Sequence, residues 1–144
     1  MRLLVAGRGN KNVYKTTRLR FWHEEPVQFY GEVADVMRLF AAADIFILPT
    51  IYDPFSNACL EALACGLPVI TTRGNGFGEI IEDGVHGSIV DDASNLAALH
   101  DAIRFWSDPS RRLAARSANI ERASQFDISR NVQQTLGILM RVGL

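Results

Sequence analysis

Short apolar runs alternate with helix-patterned segments along the whole chain, and this alternation is the tightest constraint on what the sequence can fold into. Runs at Arg2–Ala6, Val27–Tyr30, Asp44–Pro49, Pro68–Thr72 and Gly87–Val90 read as strands, and the stretches between them as crossover helices, so the pattern predicts parallel pairing rather than hairpins. Within the third run, Ile45-Phe46-Ile47-Leu48 shows no alternation of polar and apolar residues. That is the mark of a strand covered on both faces, so this strand is expected at the centre of the sheet. The predicted class is α/β, three layers deep, with a parallel sheet of about five strands flanked by helices.

The helices are marked by their ends. Asp35–Ala43 carries Val36, Leu39 and Phe40 on one face, and Ser56–Cys65 follows the loop Tyr52-Asp53-Pro54-Phe55. Gly66 is expected to close that helix with a left-handed cap, and Pro68 prevents its continuation. Three further helices are predicted at Ser94–Ser107, Pro109–Gln125 and Ile128–Arg141, separated by Asp108-Pro109 and Phe126-Asp127. With 144 residues and 48% hydrophobic content, the chain can bury one core, so residues 1–144 are read as a single domain. The Phe105-Trp106 pair and Trp22 are expected as core or domain-interface anchors.

Composition excludes several function classes. Fifteen Lys and Arg against sixteen Asp and Glu give a net charge of -1, which leaves no field of one sign for nucleic acid or an acidic membrane. No run approaches the roughly 20 apolar residues of a membrane span, and the opening apolar run is too short for a signal peptide, so a soluble, cytoplasmic domain is expected. Cys59 and Cys65 stand six apart, which matches neither a redox nor a zinc spacing; they read as small core residues in a reducing compartment. His23, His86 and His100 are scattered without ligand spacing, so each is given a surface or helical role and no metal site is expected.

Glycine-rich turns follow the strands at Gly7-Arg8-Gly9, Gly31 and Gly74-Asn75-Gly76. In an open parallel sheet, ligands bind outside the carboxyl ends of the strands, where such turns lie. The most informative stretch is Asp53-Pro54-Phe55-Ser56-Asn57-Ala58-Cys59-Leu60-Glu61-Ala62-Leu63-Ala64-Cys65-Gly66, a loop leading into a helix. From Ala58 to Cys65 only Glu61 is polar, so the helix is expected to be buried and the Glu61 carboxylate to need a partner. Asn57, four residues earlier, shares its face, while Leu60, Leu63, Ala64 and Leu67 are expected to point inward. The helix start presents unpaired N–H groups and the positive end of the dipole, which favour a phosphate. A sugar diphosphate meets both needs, its phosphates at the helix start and its hydroxyls donating to Asp53 and Glu61. The same residues also fit a buried salt bridge at Glu61, a turn at Asp53-Pro54 and a plain N-cap at Ser56, and the residues alone leave both readings open.

The stretch resembles the nucleotide-sugar loop of family 4 (group 1) retaining glycosyltransferases, whose two-domain architecture is called GT-B and whose signature is two acidic residues separated by seven others. Asp53 and Glu61 stand at that spacing. The likeness extends to Phe40-Ala41-Ala42-Ala43-Asp44-Ile45-Phe46-Ile47-Leu48-Pro49 before it. After it come Glu61-Ala62-Leu63-Ala64-Cys65-Gly66-Leu67-Pro68-Val69-Ile70 and Gly78-Glu79-Ile80-Ile81-Glu82-Asp83-Gly84. It runs in order from Arg2 to Asp92 and is weaker in the closing helices.

The resemblance implies a Rossmann-like donor-binding domain, the C-terminal half of a GT-B enzyme. That enzyme would transfer a hexosyl group from a nucleotide-diphosphate sugar, without a protein-bound metal or other cofactor, to a glycan or lipid-linked acceptor. Glu61 would hold the ribose hydroxyls, and Asp53 the transferred sugar. The amides of Phe55, Ser56 and Asn57 would meet sugar and diphosphate, with Pro54 beside them in the donor loop. Val33 would lie beside the base, the Gly74-Asn75-Gly76 loop would line the cleft, and Glu79 would cap the short helix that follows or touch the donor. The segment Gly7–Pro26, the Val33-Ala34-Asp35-Val36 turn and the Gly74–Glu79 loop look like those of bacterial enzymes that build lipopolysaccharide core or other surface glycans, which implies UDP-glucose or a similar donor and a full enzyme associated peripherally with the inner face of the membrane.

Two departures qualify the resemblance. Asp53 replaces the family's usual Glu. The family's diphosphate-clamping Arg and Lys precede the first strand, and the N-terminal acceptor domain has no counterpart here, so the chain alone is expected to be inactive; Arg8 and Arg73 read as solvated charges. A non-catalytic nucleotide-sugar-binding fragment, or a GT-B epimerase or phosphorylase, is the alternative. A signalling receiver domain is disfavoured, because no acidic cluster follows the first strand and no Asp ends the third.

Overall fold

The computed structural model describes residues 1–9 and 27–142, so Trp22, His23 and most of the Gly7–Pro26 segment lie outside the described residues. It divides into two compact units, Met1–Ala42 and Ala43–Leu144. All five expected strands are present, all paired in parallel, and they form a two-stranded and a three-stranded sheet.

In the first unit, β1 (Leu3–Ala6) pairs with β2 (Val27–Gly31), with a register shift between Val5 and Ala6. Gly7 then donates its N–H to the Gly31 carbonyl at 2.7 Å, which carries the ladder one step past the strand ends. A short helix α1 (Met37–Ala42) follows, with Phe40 buried and Val36 and Leu39 half-buried, as the periodicity requires.

The second unit is built on β3 (Phe46–Leu48), β4 (Val69–Thr72) and β5 (Gly87–Val90), in the order β3-β4-β5. The middle strand of this sheet is β4, every residue of which is buried, while β3, the run Ile45–Leu48 in the sequence, is half-buried along its length. From that run Ile45 and Ile47 pack against the cluster of Ile70, Val90, Ala102, Trp106 and Ala115. An apolar run reports packing under helices and not the order of strands, and half-buried β3 makes such contacts.

Four helices complete the unit: α2 (Asn57–Ala64), α3 (Leu96–Trp106), α4 (Pro109–Ser124) and α5 (Ile128–Val142). Asn95 caps α3 by accepting from the Ala98 N–H, and Asp108 caps α4 ahead of a proline in its first turn. Trp106 is 1% exposed and donates its indole N–H to Ser88 Oγ at 2.9 Å, so the largest core side chain leaves no polar atom unpaired. Its neighbour Phe105 is not a core anchor. It lies at the surface, with its ring edge-on to Trp106 and the Arg111 guanidinium 3.9 Å from its centroid.

The turn after α2 anchors α4. Gly66 has φ +81°, the left-handed cap expected of it, and a Cβ there would stand 2.7 Å from Arg116 Cγ. Buried Asn119 donates to the Leu67 carbonyl at 2.9 Å. Among the described residues no helix is long and apolar enough to cross a membrane.

Candidate functional site

The strand β3 ends in the loop Thr50–Ser56, and β4 ends in the turn Arg73–Phe77; backbone hydrogen bonds join the two segments. Asp53 donates its N–H to the Gly74 carbonyl at 3.0 Å and accepts at its own carbonyl from Gly76 N–H at 2.9 Å. Asp53 and Asn75 thereby form an isolated parallel bridge beyond the ends of the regular strands. The approach is so close that only glycine fits on one side of it. A Cβ on Gly74 would lie 2.2 Å from the Ile51 carbonyl oxygen, and one on Gly76 2.0 Å from that of Pro54.

Side chains from β4 add to the grip. Thr72 donates its hydroxyl to the Thr50 carbonyl, and Thr71 donates to Leu48 O at 3.0 Å. Asn75, 1% exposed, donates from Nδ2 to Thr71 Oγ1 at 3.0 Å and to Cys59 Sγ at 3.6 Å, and accepts at Oδ1 from Phe77 N–H at 3.1 Å. Burial pushes the Cys59 thiol above its ordinary range, which keeps it a neutral member of this cluster. Phe55 sets its ring edge-on to buried Phe77, with centroids 6.1 Å apart.

The loop delivers the chain into α2 through two caps. Asp53 Oδ1 accepts the Phe55 N–H at 3.1 Å, and Ser56, buried and extended, accepts the Cys59 N–H at 3.4 Å. The amides of Asn57 and Ala58 have no acceptor within the helix, as in any first turn, and they carry the positive end of its dipole.

Cys59, Ala62 and Leu63 are the buried face of α2. Asn57, Glu61 and Ala64 are exposed, and Leu60 is half-buried. Two expectations are corrected by this. Glu61 is not buried and needs no compensating charge, because the helix covers the sheet with the residues one and two places either side of it. Ala64 points outward for the same reason. The run from Ala58 to Cys65 reads as a buried helix because apolar residues also stand where burial is incomplete: Ala64 faces water, and Ala58, Leu60 and Cys65 are half-buried. The placing of Asn57 and Glu61 on one face holds, and it leaves both side chains open to a ligand.

The structure thus brings Asp53, Pro54, Phe55, Ser56, Asn57 and Gly76 together, with Glu61 one turn along the exposed stripe from Asn57. Val33 belongs to the first unit, half-buried in the loop between β2 and α1. Glu79 is exposed within the turn of 3-10 helix Gly76–Ile80 and does not cap it; Asn75 does, because its side chain sits one residue before the turn and reaches Phe77 N–H. Arg8 pairs with Glu32 at 2.8 Å and Arg73 with Asp91, all four side chains being exposed. A small cleft of about 60 Å3 opens beside the paired loops, lined by Thr50, Ile51, Thr72, Gly74, Asp91, Asp92 and Ala93.

Thr71 and Thr72 escaped the sequence reading, and Asn75 entered it only as a member of the Gly74-Asn75-Gly76 turn, with no role for its side chain. The available signal was a pair of threonines closing an otherwise apolar strand, which is an expensive choice for a buried segment unless both hydroxyls are used.

Comparison with known proteins places this arrangement in context. The family profile described as "Glycosyl transferases group 1" matches residues 1–107. The lipopolysaccharide core biosynthesis mannosyltransferase LpsB of Rhizobium meliloti is 34% identical over 94 residues, 65% of this chain and 27% of the relative. The alpha-maltose-1-phosphate synthase of Mycobacterium tuberculosis is 30% identical over 129 residues, 85% of this chain and 32% of the relative. Among solved structures, Anabaena HepE in complex with UDP and glucose superposes with a TM-score of 0.79 at 27% identity, covering 96% of this chain and 40% of its own. The chain therefore spans about a third or less of the length of these curated relatives.

Proposed function

Because the chain belongs to the group 1 glycosyl transferase family, we propose that the paired loops and the start of α2 bind a nucleoside-diphosphate sugar for retaining transfer of a hexosyl group. The observation that carries this reading is the fixed loop itself. Its backbone is held by Gly74 and Gly76 and leads into the first turn of α2, where the Asn57 and Ala58 amides lack helical acceptors and the Asn57 and Glu61 side chains are exposed.

The chemistry follows from those groups. Cleavage of the sugar–phosphate bond leaves negative charge on the departing diphosphate, and fixed N–H groups at a helix start stabilise that charge without reorganising. Glu61, free in solvent, accepts hydrogen bonds from the two ribose hydroxyls. Asp53 has one oxygen engaged with Phe55 N–H and directs the other to the sugar hydroxyls. The shorter side chain therefore serves both loop and ligand, and no side chain need act as nucleophile.

A uridine nucleotide is the donor that HepE supports, since it is solved in complexes with UDP and with UDP-glucose. LpsB is named a mannosyltransferase, so the choice of hexose is left to experiment. Its role in lipopolysaccharide core biosynthesis supports a surface-glycan or lipid-linked acceptor here.

Thermal unfolding of the chain with UDP, UDP-glucose and GDP tests the reading. A ligand at one hundred times its Kd adds about 2.7 kcal/mol of stability, a readily visible rise in Tm. The uridine nucleotides are expected to raise Tm for the wild type and not for Glu61→Ala. No rise with any nucleotide at millimolar concentration would overturn the assignment.

A further inference from the structure

We infer that Asn75 is a positioning residue for the donor loop: its buried carboxamide fixes the turn to which Asp53 is hydrogen-bonded, and so sets where Asp53 and the first turn of α2 meet a ligand. As it concerns a ligand, the inference rests on the function proposed above; as it concerns the loop, it stands on the structure alone.

Three segments converge on this one side chain. Nδ2 reaches Thr71 on β4 and Cys59 on α2, while Oδ1 holds Phe77 N–H of its own turn. The residues on either side of Asn75 hold Asp53, which donates its N–H to the Gly74 carbonyl and accepts from the Gly76 N–H. The amide can take only this orientation. Turned over, it would set its NH2 group against the Phe77 N–H, donor to donor, with nothing to receive either. Thr71 Oγ1 gives its own proton to the Leu48 carbonyl and is therefore an acceptor toward Asn75, which completes the chain of bonds from β3 to the turn.

Other side chains fail here for physical reasons. Aspartate would keep the bond to Phe77 N–H but would bring a carboxylate to a site 1% exposed, facing Thr71 Oγ1, whose proton is already given away, and the Cys59 sulfur. Alanine would leave Phe77 N–H unpaired together with the Thr71 and Cys59 acceptors. Either change frees the turn that Gly74 and Gly76 press against the loop, and Asp53 moves with it.

The test compares the wild-type chain with Asn75→Ala and with Thr71→Val, the milder variant, which removes only the hydroxyl between Asn75 and Leu48. Amide hydrogen exchange at Asp53, Phe55 and Gly76 is expected to quicken about tenfold or more in Asn75→Ala and less in Thr71→Val, with amides of β5 and α3 unchanged. Rates unchanged at the loop, or raised by the same factor throughout the second unit, would overturn the inference. In the ligand arm, titration with UDP-glucose and with uridine monophosphate separates positioning from general weakening. Asn75→Ala is expected to lose about tenfold in affinity for the sugar nucleotide and little for the monophosphate, whose ribose is held by Glu61. Equal losses for both would overturn it. A wild type that binds neither nucleotide would contradict the proposed function, and the exchange rates would then decide the role of Asn75 by themselves.

Discussion

The turn Arg73–Phe77 and the helix α5 represent two opposite ways of holding a segment. The turn is five residues long and has a buried asparagine, two glycines against neighbouring backbone, and buried threonine hydroxyls in the strand before it. The helix runs from Ile128 to Val142 with Ile128, Val132, Leu136, Leu139, Met140 and Val142 all exposed, and none of its described residues is buried. Shape at the turn comes from contacts across the fold, whereas shape in α5 comes from local hydrogen bonding and side-chain spacing. A ligand that needs side chains fixed to a fraction of an ångström is served by the first kind of segment.

Substitutions can break or sharpen this contrast. The largest effect is expected for Gly76→Ala, whose Cβ would fall 2.0 Å from Pro54 O, so the two loops must part. Urea unfolding should report a loss of roughly 3 kcal/mol or more, and a loss below about 1 kcal/mol would mean that the loops are not held as described. Next comes Ser56→Ala, which removes the cap on α2 and should cost about 1 kcal/mol in the same measurement.

A smaller effect is expected at Asp108, the exposed cap of α4, and it should depend on pH. The Ser110 N–H holds this carboxyl below its ordinary range, so its contribution is present above the ordinary aspartate pKa. That contribution is lost as pH falls through the lowered value in the folded state. Asp108→Asn should therefore flatten the acid side of the stability–pH curve and leave the wild type and variant alike at the lowest pH; identical slopes would refute the cap's role. The smallest effect belongs to α5, where Leu136→Ala should change the unfolding free energy by less than about 0.5 kcal/mol. A large loss there would show that this helix is anchored after all.

Much of the second unit is legible in the sequence because its signals are local. Gly66 and Pro68 mark the end of α2, Asp108-Pro109 marks the start of α4, and the strands stand out as short apolar runs. The spacing of Asn57 and Glu61 places both on one stripe of the helix, as observed. What sequence could not give is which way that stripe faces. Alanine and cysteine are neutral to that question, so Glu61 was expected inside and lies outside. The order of β3, β4 and β5 was hidden for a related reason, since an apolar strand looks the same at the edge or the centre of a sheet packed under helices. The pairing of the Asp53 loop with the Gly74–Gly76 turn is long-range in sequence, and only the glycines hinted at it.

The central claim is that the exposed carboxylate of Glu61 and the fixed start of α2 form one nucleotide site. Isothermal titration of the chain with UDP-glucose, for the wild type and for Glu61→Gln, tests it most directly. Glutamine keeps the length and the helix propensity but removes the charge that accepts the ribose hydroxyls. Saturable binding is expected for the wild type and at least a tenfold weaker Kd for the variant, equivalent to about 1.4 kcal/mol. Equal affinities for the two proteins, or no binding by a wild type shown to be folded, would contradict it.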